Sequence, residues 1–554
     1  MEKITLGNFL CRCLSQAGIK EVFGVAGDYN FTILDEFEKH PEITFIGNRN
    51  ELNAGYSADG YARLKGIAAL VTTFGVGELS ACNAFAGSNC ENVPVVHIVG
   101  APPTPDQKGH KFMHHSLMDG NFKTFQQVYE PISAYTTAIT PENALDEIPK
   151  ALNIAQTKKK PVYIMIANDL LSKEIVVSTV ELTAAVSSQT SLQQAVAHAK
   201  QLLDQSNNTV LLADVKVIRF HLEKPVQQLV ETMNIPVAST VYGKGSFDET
   251  HPNYIGVYVG SCGEESVRNT VENAQCVIAV GLVWADTNTA NFTAKVEFTK
   301  TIQIQPNSVI IGEAMYQDIL AADMINSLIL LNAKQSDPVN QAIFPYSQTQ
   351  GQPNDALVAA NYYPMFQQFI KDNDVIIVET GTLHDGFSQV RLRKNVTYVT
   401  QGGWQSIGYA TPAAFGACVA APDRRVLLFT GDGSLQLTAQ EISSMLEHNC
   451  KPILFILNNG QYVVEKYLNV NTMNQRYNVI PKWDYTKLPA IFGGDAFTAT
   501  VKTVEELERA MKQAEKECHN QLCIIEIIPG NPLDAPQYLV ESRKILESQK
   551  MNQY

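Results

Sequence analysis

The stretch Val426-Leu427-Leu428-Phe429-Thr430-Gly431-Asp432-Gly433-Ser434, answered downstream by Pro452-Ile453-Leu454-Phe455-Ile456-Leu457-Asn458-Asn459, decides the fold. Arg425 to Thr430 and Ile453 to Leu457 are short apolar runs of the kind that form strands buried on both faces. Between them, Leu437 to Leu446 carries apolar positions at helical spacing. Strand, helix and strand make a βαβ unit of a parallel sheet. Asp432 and Asn459 then stand at the carboxyl ends of strands, where open α/β sheets bind ligands. A carboxylate and an amide oxygen, completed by backbone carbonyls and diphosphate oxygens, suit the all-oxygen shell of Mg2+. Gly431, Gly433 and Ser434 let backbone N–H groups approach phosphate at a helix start. The segment is expected to clamp a metal-bound diphosphate.

Working outward, the same alternation of Val/Ile-rich runs with amphipathic stretches covers the chain. Glu21 to Val25, Ile67 to Thr73, Val95 to Val99 and Val162 to Ile166 read as strands of a first domain spanning 1–180. A central domain, 190–333, opens with the helix Leu192 to Leu203 and holds strands at Thr209 to Leu212 and Cys276 to Val280. The polar segment 334–356 reads as a linker. The last domain, 357–554, repeats the first pattern with strands at Val375 to Val378, Arg425 to Thr430, Ile453 to Leu457 and Cys523 to Ile528. The expected class is α/β, with three domains that each carry a mainly parallel sheet flanked by helices.

Hydrophobic residues make up 45% and charged residues 18%, which rules out wholesale disorder. A formal charge of −14 without a basic stripe argues against a nucleic-acid partner, since the densest run, Lys158-Lys159-Lys160, only precedes a buried strand. The ten cysteines contain no C-x-x-C pair and sit largely in apolar runs, as free buried thiols do. The N-terminus has no uninterrupted apolar stretch, and no window approaches the ~18 apolar residues of a membrane span. A soluble cytoplasmic protein without a membrane partner is expected.

The spacing from Gly431-Asp432-Gly433 to Asn458-Asn459 resembles the thiamine-diphosphate-binding motif. Over essentially its whole length the chain is similar to the pyruvate, indolepyruvate and branched-chain keto acid decarboxylases. Gly24 to Asn30 and Arg49-Asn50-Glu51-Leu52-Asn53-Ala54 match family segments, and His114-His115 resembles the family's adjacent-histidine pair. The resemblance implies non-oxidative decarboxylation of a 2-keto acid to an aldehyde and CO2, through an ylide and an enamine of thiamine diphosphate. It implies that Glu51 shares a proton with the aminopyrimidine, that Ile407 props the cofactor bent, and that Asp28, His114, His115 and Glu465 handle protons beside it. Burial is expected to raise the carboxyl pKa values of Asp28 and Glu465. Neighbouring histidines diverge in a regular element and so suit a proton relay better than one metal.

The cofactor set carried over is Glu51, Thr382, Gln405, Ser406, Ile407, Gly431, Asp432, Gly433, Ser434, Asn459 and Gln461, with Asp432, Asn459 and the Gln461 carbonyl on Mg2+. Two of these depart from the family pattern. Gln405 and Gln461 both stand where glycine is usual, and a left-handed backbone at Gln461 would be strained. His384, Val464 and Leu468 are expected at the substrate pocket. Val464 is smaller than the isoleucine of strict pyruvate enzymes, which favours branched, longer or aromatic substrates, with pyruvate still open. Because the outer domains of such enzymes meet across a subunit boundary, a homodimer with shared sites is expected, with a homotetramer open.

A carboligase of acyloin or acetolactate type is a second reading, and His114-His115 speaks against it as the main activity. A silent cofactor-binding scaffold is a third. The central domain holds no G-x-G-x-x-G and is expected to be structural. The cysteine pair that serves substrate activation in some fungal members of the family is not recognisable in Asp214 to His221, so the resemblance implies hyperbolic kinetics.

Overall fold

The computed structural model describes residues 2–177, 185–333, 344, 346–469, 471 and 473–551. The boundary near 180 and, within the 334–356 linker, residues 334–343 and 345 therefore lie outside the described residues. Three sheets organise the chain.

The first sheet has six parallel strands in the spatial order Thr44–Gly47, Glu21–Gly24, Ala68–Thr73, Val95–Ala101, Val162–Ala167 and Tyr135–Ile139. The last sheet has the order Thr397–Val399, Val375–Val378, Val426–Gly431, Ile453–Leu457, Cys523–Ile527 and Phe497–Val501, again all parallel. Numbered along the chain, both run 2-1-3-4-6-5, so the repeated pattern in the sequence is a repeated topology. The order reverses beside the first strand of each sheet, and that reversal opens a crevice at the strands' carboxyl ends.

The central sheet has seven strands. Tyr254–Tyr258, Val237–Thr240, Thr209–Ala213, Cys276–Val280 and Thr301–Gln305 are parallel, and Ser308–Ile311 and Ala314–Gln317 extend it antiparallel. A two-stranded antiparallel ribbon pairs Glu2–Thr5 with Glu174–Val177. No helix among the described residues is long and apolar enough to cross a membrane.

The outer units pack through helices Glu51–Lys65 and Ala410–Ala420. Ala410, Ala413, Ala414 and Ala417 keep the second helix thin enough to lie against Tyr56, Ala58 and Tyr61 in one buried cluster. The single helix expected over Leu437 to Leu446 is instead two, Asp432–Thr438 and Glu441–Glu447. The Thr438 hydroxyl donates to the Gly408 carbonyl at 2.7 Å, and Glu441 accepts from Asn48 at 2.7 Å and Asn53 at 2.8 Å. The break thus trades helical continuity for bonds to the first unit.

A buried ionic network ties all three units together. Arg63 donates to Asp59 at 2.6 Å and to the Thr400 carbonyl at 2.6 Å, while Tyr409 donates to Asp59 at 2.6 Å. Arg219 of the central unit donates to the Glu91 carbonyl at 3.0 Å. The Glu91 side chain accepts from the backbone of Gly403 at 2.7 Å and of Trp404 at 3.0 Å, which holds the loop leading to Gln405, Ser406 and Ile407. Buried charges persist only when paired in this way.

Candidate active site

In the first unit the candidate residues follow successive strand ends. Asn30 fixes the loop after Glu21–Gly24 by accepting from Gly27 at 2.9 Å and donating to the Val25 carbonyl at 2.9 Å, which presents Asp28. Asp28 Oδ2 lies 2.5 Å from His114 Nε2, and Oδ1 lies 3.4 Å from His115 Nε2. Tyr29 stacks on His114 at 4.9 Å and 18°. The two imidazoles, expected to diverge, converge instead, with centroids 4.8 Å apart. His115 has φ +62, and this left-handed residue folds consecutive side chains to the same side.

Gly75 supports that turn. A Cβ on it would stand 1.8 Å from the His115 carbonyl oxygen. Its N–H donates to the fully buried Glu78 carboxylate at 2.7 Å, which also accepts from the Tyr163 hydroxyl at 2.7 Å. Burial pushes the Glu78 carboxyl up to about 7. Glu51 opens helix Glu51–Lys65, half-buried, and its Oε1 would lie 3.4 Å from a Cβ on Gly77. The buried Thr73 side chain packs between Gly27 and Gly77, and its hydroxyl has no hydrogen-bond partner among the described residues. The sequence reading missed Thr73 and Glu78, since a threonine ending a strand and a glutamate opening a helix carry no distinguishing signal.

In the last unit Asp432 ends strand Val426–Gly431 and is 3% exposed. Its two oxygens accept from Gly433 at 2.8 Å and Gly460 at 2.6 Å. Burial pushes its carboxyl up to about 6, against those backbone donors, and among the described residues no cationic side chain pairs with it. Asn459 Oδ1 accepts from Gln461 N at 3.0 Å. A carboxylate keeps spare lone pairs after two such bonds, so Asp432, Asn459 and the Gln461 carbonyl form an oxygen-only donor set that fits a hard divalent cation. Gly433 and Ser434 are buried beside Asp432, and Gly431 is half-buried.

The backbone settles the two glutamine departures differently. Gln405 is left-handed at φ +54, so the strain falls there. At the second site Gly460 takes φ +69, and Gln461 lies outside the left-handed region, bridged to Val479. The strain expected at Gln461 is therefore absent, because the neighbouring glycine absorbs the turn. Ser406 accepts from Tyr56 at 2.7 Å and Asn83 at 3.0 Å, and Ile407 is left 38% exposed. Glu379, also missed, accepts from Gly408 and Ala410 at 3.2 Å each and is pushed up to about 7 by burial.

Thr382 begins helix Thr382–Phe387 half-buried. Val464 sits beside it, 3.4 Å from a Cβ placed on Gly381, with Leu468 and Glu465 exposed on the same helix. His384 is in the interior, its Nδ1 3.2 Å from the Thr400 hydroxyl and its pKa pushed down to about 4 by burial. The burial expected to raise Asp28 and Glu465 is missing within the chain, since Asp28 is 40% exposed and Glu465 is exposed. Among the described residues no hydrogen bond joins Asp28, Glu51, His114 or His115 to Asp432, Asn459 or Gln461. One chain thus carries two half-sites, one in each outer unit, with no hydrogen bond between them among the described residues.

Comparison with known proteins matches the same three units. The N-terminal TPP binding domain of thiamine pyrophosphate enzymes matches residues 4–123, their central domain 196–328 and their C-terminal TPP binding domain 379–527. A pyruvate decarboxylase of Kluyveromyces lactis is 34% identical over 98% of this chain and 99% of its own. An alpha-keto-acid decarboxylase of Mycobacterium leprae is 34% identical over 97% of this chain and 94% of its own. Pyruvate decarboxylase isozyme 1 of Saccharomyces cerevisiae is 34% identical over 98% and 99%. With strand-end half-sites of this chemistry in both outer units and likeness along the whole length, the chain belongs to the thiamine-diphosphate-dependent 2-keto acid decarboxylase family.

Proposed function

We propose that this protein converts a 2-keto acid and a proton to an aldehyde and CO2. The observation that carries the reading is the convergence of Asp28, His114 and His115 at the strand ends of the unit that also presents Glu51. Bound thiamine diphosphate supplies a nucleophilic carbon and an electron sink for the departing carboxylate. Glu51 holds the proton exchanged with the aminopyrimidine. Asp28, with its two histidines, holds and delivers the proton that ends on the aldehyde carbon, and the stacked Tyr29 keeps His114 in place. Asp432, Asn459 and the Gln461 carbonyl would hold Mg2+, which would neutralise the diphosphate's charge, and Ser406, Ile407 and Thr382 would line the cofactor. Glu465 acts beside them.

Two half-sites that share no hydrogen bond within the chain, with Asp28 and Glu465 left uncovered, support a homodimer in which the first unit of one chain covers the last unit of the other. Closure by the partner would also supply the burial that Asp28 and Glu465 lack alone. Val464 and Leu468 shape the pocket for branched, longer or aromatic substrates, and His384 backs it from the interior. The three sheets support domains at 1–180, 190–333 and 357–554, and the cytoplasm is the compartment proposed for the enzyme. The test is aldehyde release from pyruvate, 2-ketoisovalerate, phenylpyruvate and indolepyruvate with thiamine diphosphate and Mg2+, beside Glu51→Gln. Loss of turnover in a folded variant is expected, and full turnover there sinks the assignment. An active monomer in the analytical ultracentrifuge refutes the shared site.

A further inference from the structure

The Asp28 cluster has a property that proton delivery does not require. Its ligand atoms, one from Asp28 and one from each histidine, all lie within 4.8 Å of one another. Among the described residues Asp28 Oδ1 has no hydrogen-bond partner, and His115 Nε2 is 3.4 Å from it. On the far side of the ring, His114 Nδ1 lies 3.3 Å from the Tyr29 hydroxyl. A ring whose Nδ1–H is given to an outer partner keeps the Nε2 lone pair free, and this is the arrangement found behind metal-bound histidines. Stacking on Tyr29 fixes that ring, and the left-handed backbone of His115, backed by Gly75, fixes the other. In the chain alone the side chains of Asp28, His114 and His115 are 40%, 57% and 33% exposed, so the cluster lies on the open side of its half-site, where a small ion can reach it by the route a substrate takes.

Donor chemistry separates this cluster from the oxygen-only set at Asp432. Two imidazoles and one carboxylate select zinc, cobalt, nickel or copper, whereas Mg2+ prefers oxygen alone. With metal–ligand bonds of about 2.0–2.2 Å, neighbouring ligand atoms around one ion stand roughly 3–3.5 Å apart. Asp28 and His115 at 3.4 Å fall in that range, Asp28 and His114 at 2.5 Å fall short of it, and the three ligand atoms lie within 4.8 Å of one another, so side-chain rotations of an ångström or so, about the size of these departures, would seat one ion.

We propose that Asp28, His114 and His115 form a second metal site, selective for zinc-class transition-metal cations, whose occupation turns the enzyme off. Binding itself needs only the three side chains. The inhibition rests on the decarboxylase reading, because a metal on both imidazoles ties up the lone pairs that would carry the proton.

The probe is Co2+, titrated into the full-length protein freed of thiamine diphosphate and Mg2+ and followed by visible absorption. One equivalent should bind with nitrogen-ligand bands. His114→Asn and His115→Asn should each weaken it at least tenfold with unchanged circular dichroism, while Asp432→Asn leaves it intact. Binding that ignores the histidine variants, or disappears with Asp432→Asn, overturns the site. In the loaded enzyme Zn2+ should stop aldehyde release, with recovery on chelation but not on adding Mg2+. Histidine-dependent Co2+ binding without inhibition by Zn2+ overturns the switch. Should the protein release no aldehyde from any keto acid, the decarboxylase reading and the switch both fail, and the Co2+ titration still decides the site.

Discussion

Replacing Gly75 by alanine tests whether the backbone behind His115 governs the chemistry. Gly75 has φ 62 and ψ −90, a region closed to side chains, so alanine there costs about 1–3 kcal/mol in backbone strain alone. Its Cβ would also stand 1.8 Å from the His115 carbonyl oxygen and 3.0 Å from Phe125 Cε2. Ordinary contact needs well over 3 Å, so the His115 segment must retreat by roughly an ångström, a misplacement that costs about 100-fold in rate at a reacting centre. The control is Gly66→Ala, also left-handed at φ +92 but with nothing within 4 Å of the added carbon. Both variants should lower the melting temperature, and only Gly75→Ala should lose kcat, read by reduction of the released aldehyde with a coupled dehydrogenase. If Gly75→Ala keeps kcat within threefold of Gly66→Ala, the bracing of His115 has no catalytic meaning and the argument fails.

Gln405→Gly relieves a left-handed glutamine at φ +54 and should raise stability by about 1 kcal/mol, whereas Gln461→Gly should lower it slightly, since Gly460 already carries the turn; thermal unfolding that ranks them the other way contradicts the backbone assignment. At Asp432, burial holds the carboxyl at about 6, above its ordinary 3.8, so the folded protein binds this proton more tightly than the unfolded chain does. Cation binding must expel that proton, and Mg2+ affinity should be full above about pH 6 and fall about tenfold per pH unit below it. Calorimetric titration with Asp432→Asn should show weak binding without that slope. Val464→Ile, beside Gly381, should shift kcat/KM toward pyruvate by about 10-fold or more against longer keto acids, and an unchanged substrate ranking removes Val464 from the pocket.

The central strands of both outer sheets were legible because they are buried on both faces and therefore read as unbroken apolar runs. The edges were not. Thr44–Gly47, Tyr135–Ile139, Thr397–Val399 and Phe497–Val501 flank their sheets, and an edge strand with one free side needs no such run. In the central sheet the hairpin Ser308–Ile311 with Ala314–Gln317 escaped for a related reason, being short and partly exposed. Val237–Thr240, Tyr254–Tyr258 and Thr301–Gln305 escaped although they are buried, because runs of four or five residues mixed with Ser, Thr, Gly, Gln and Tyr carry a weak apolar signal.

Asp432 and Asn459 stand out in the sequence because local spacing puts each at a strand end, and strand ends are local facts, whereas Glu51 and the histidine pair stand out only through the likeness of their segments to the family's. Their relations are not local. That His114 and His115 converge depends on one positive φ and on Gly75 from another loop pressing behind it. That Gln461 escapes strain depends on which of two adjacent residues takes the turn once Gly460 N–H meets Asp432 across the sheet. Glu78, Glu379 and Thr73 matter through partners distant in the chain, which no spacing reveals. The sequence determined the sheet cores and the chemistry at their ends, because hydrophobic periodicity and short motifs act within a few residues. Only the tertiary structure decided how those ends face one another, because backbone handedness and burial are set by contacts made across the fold.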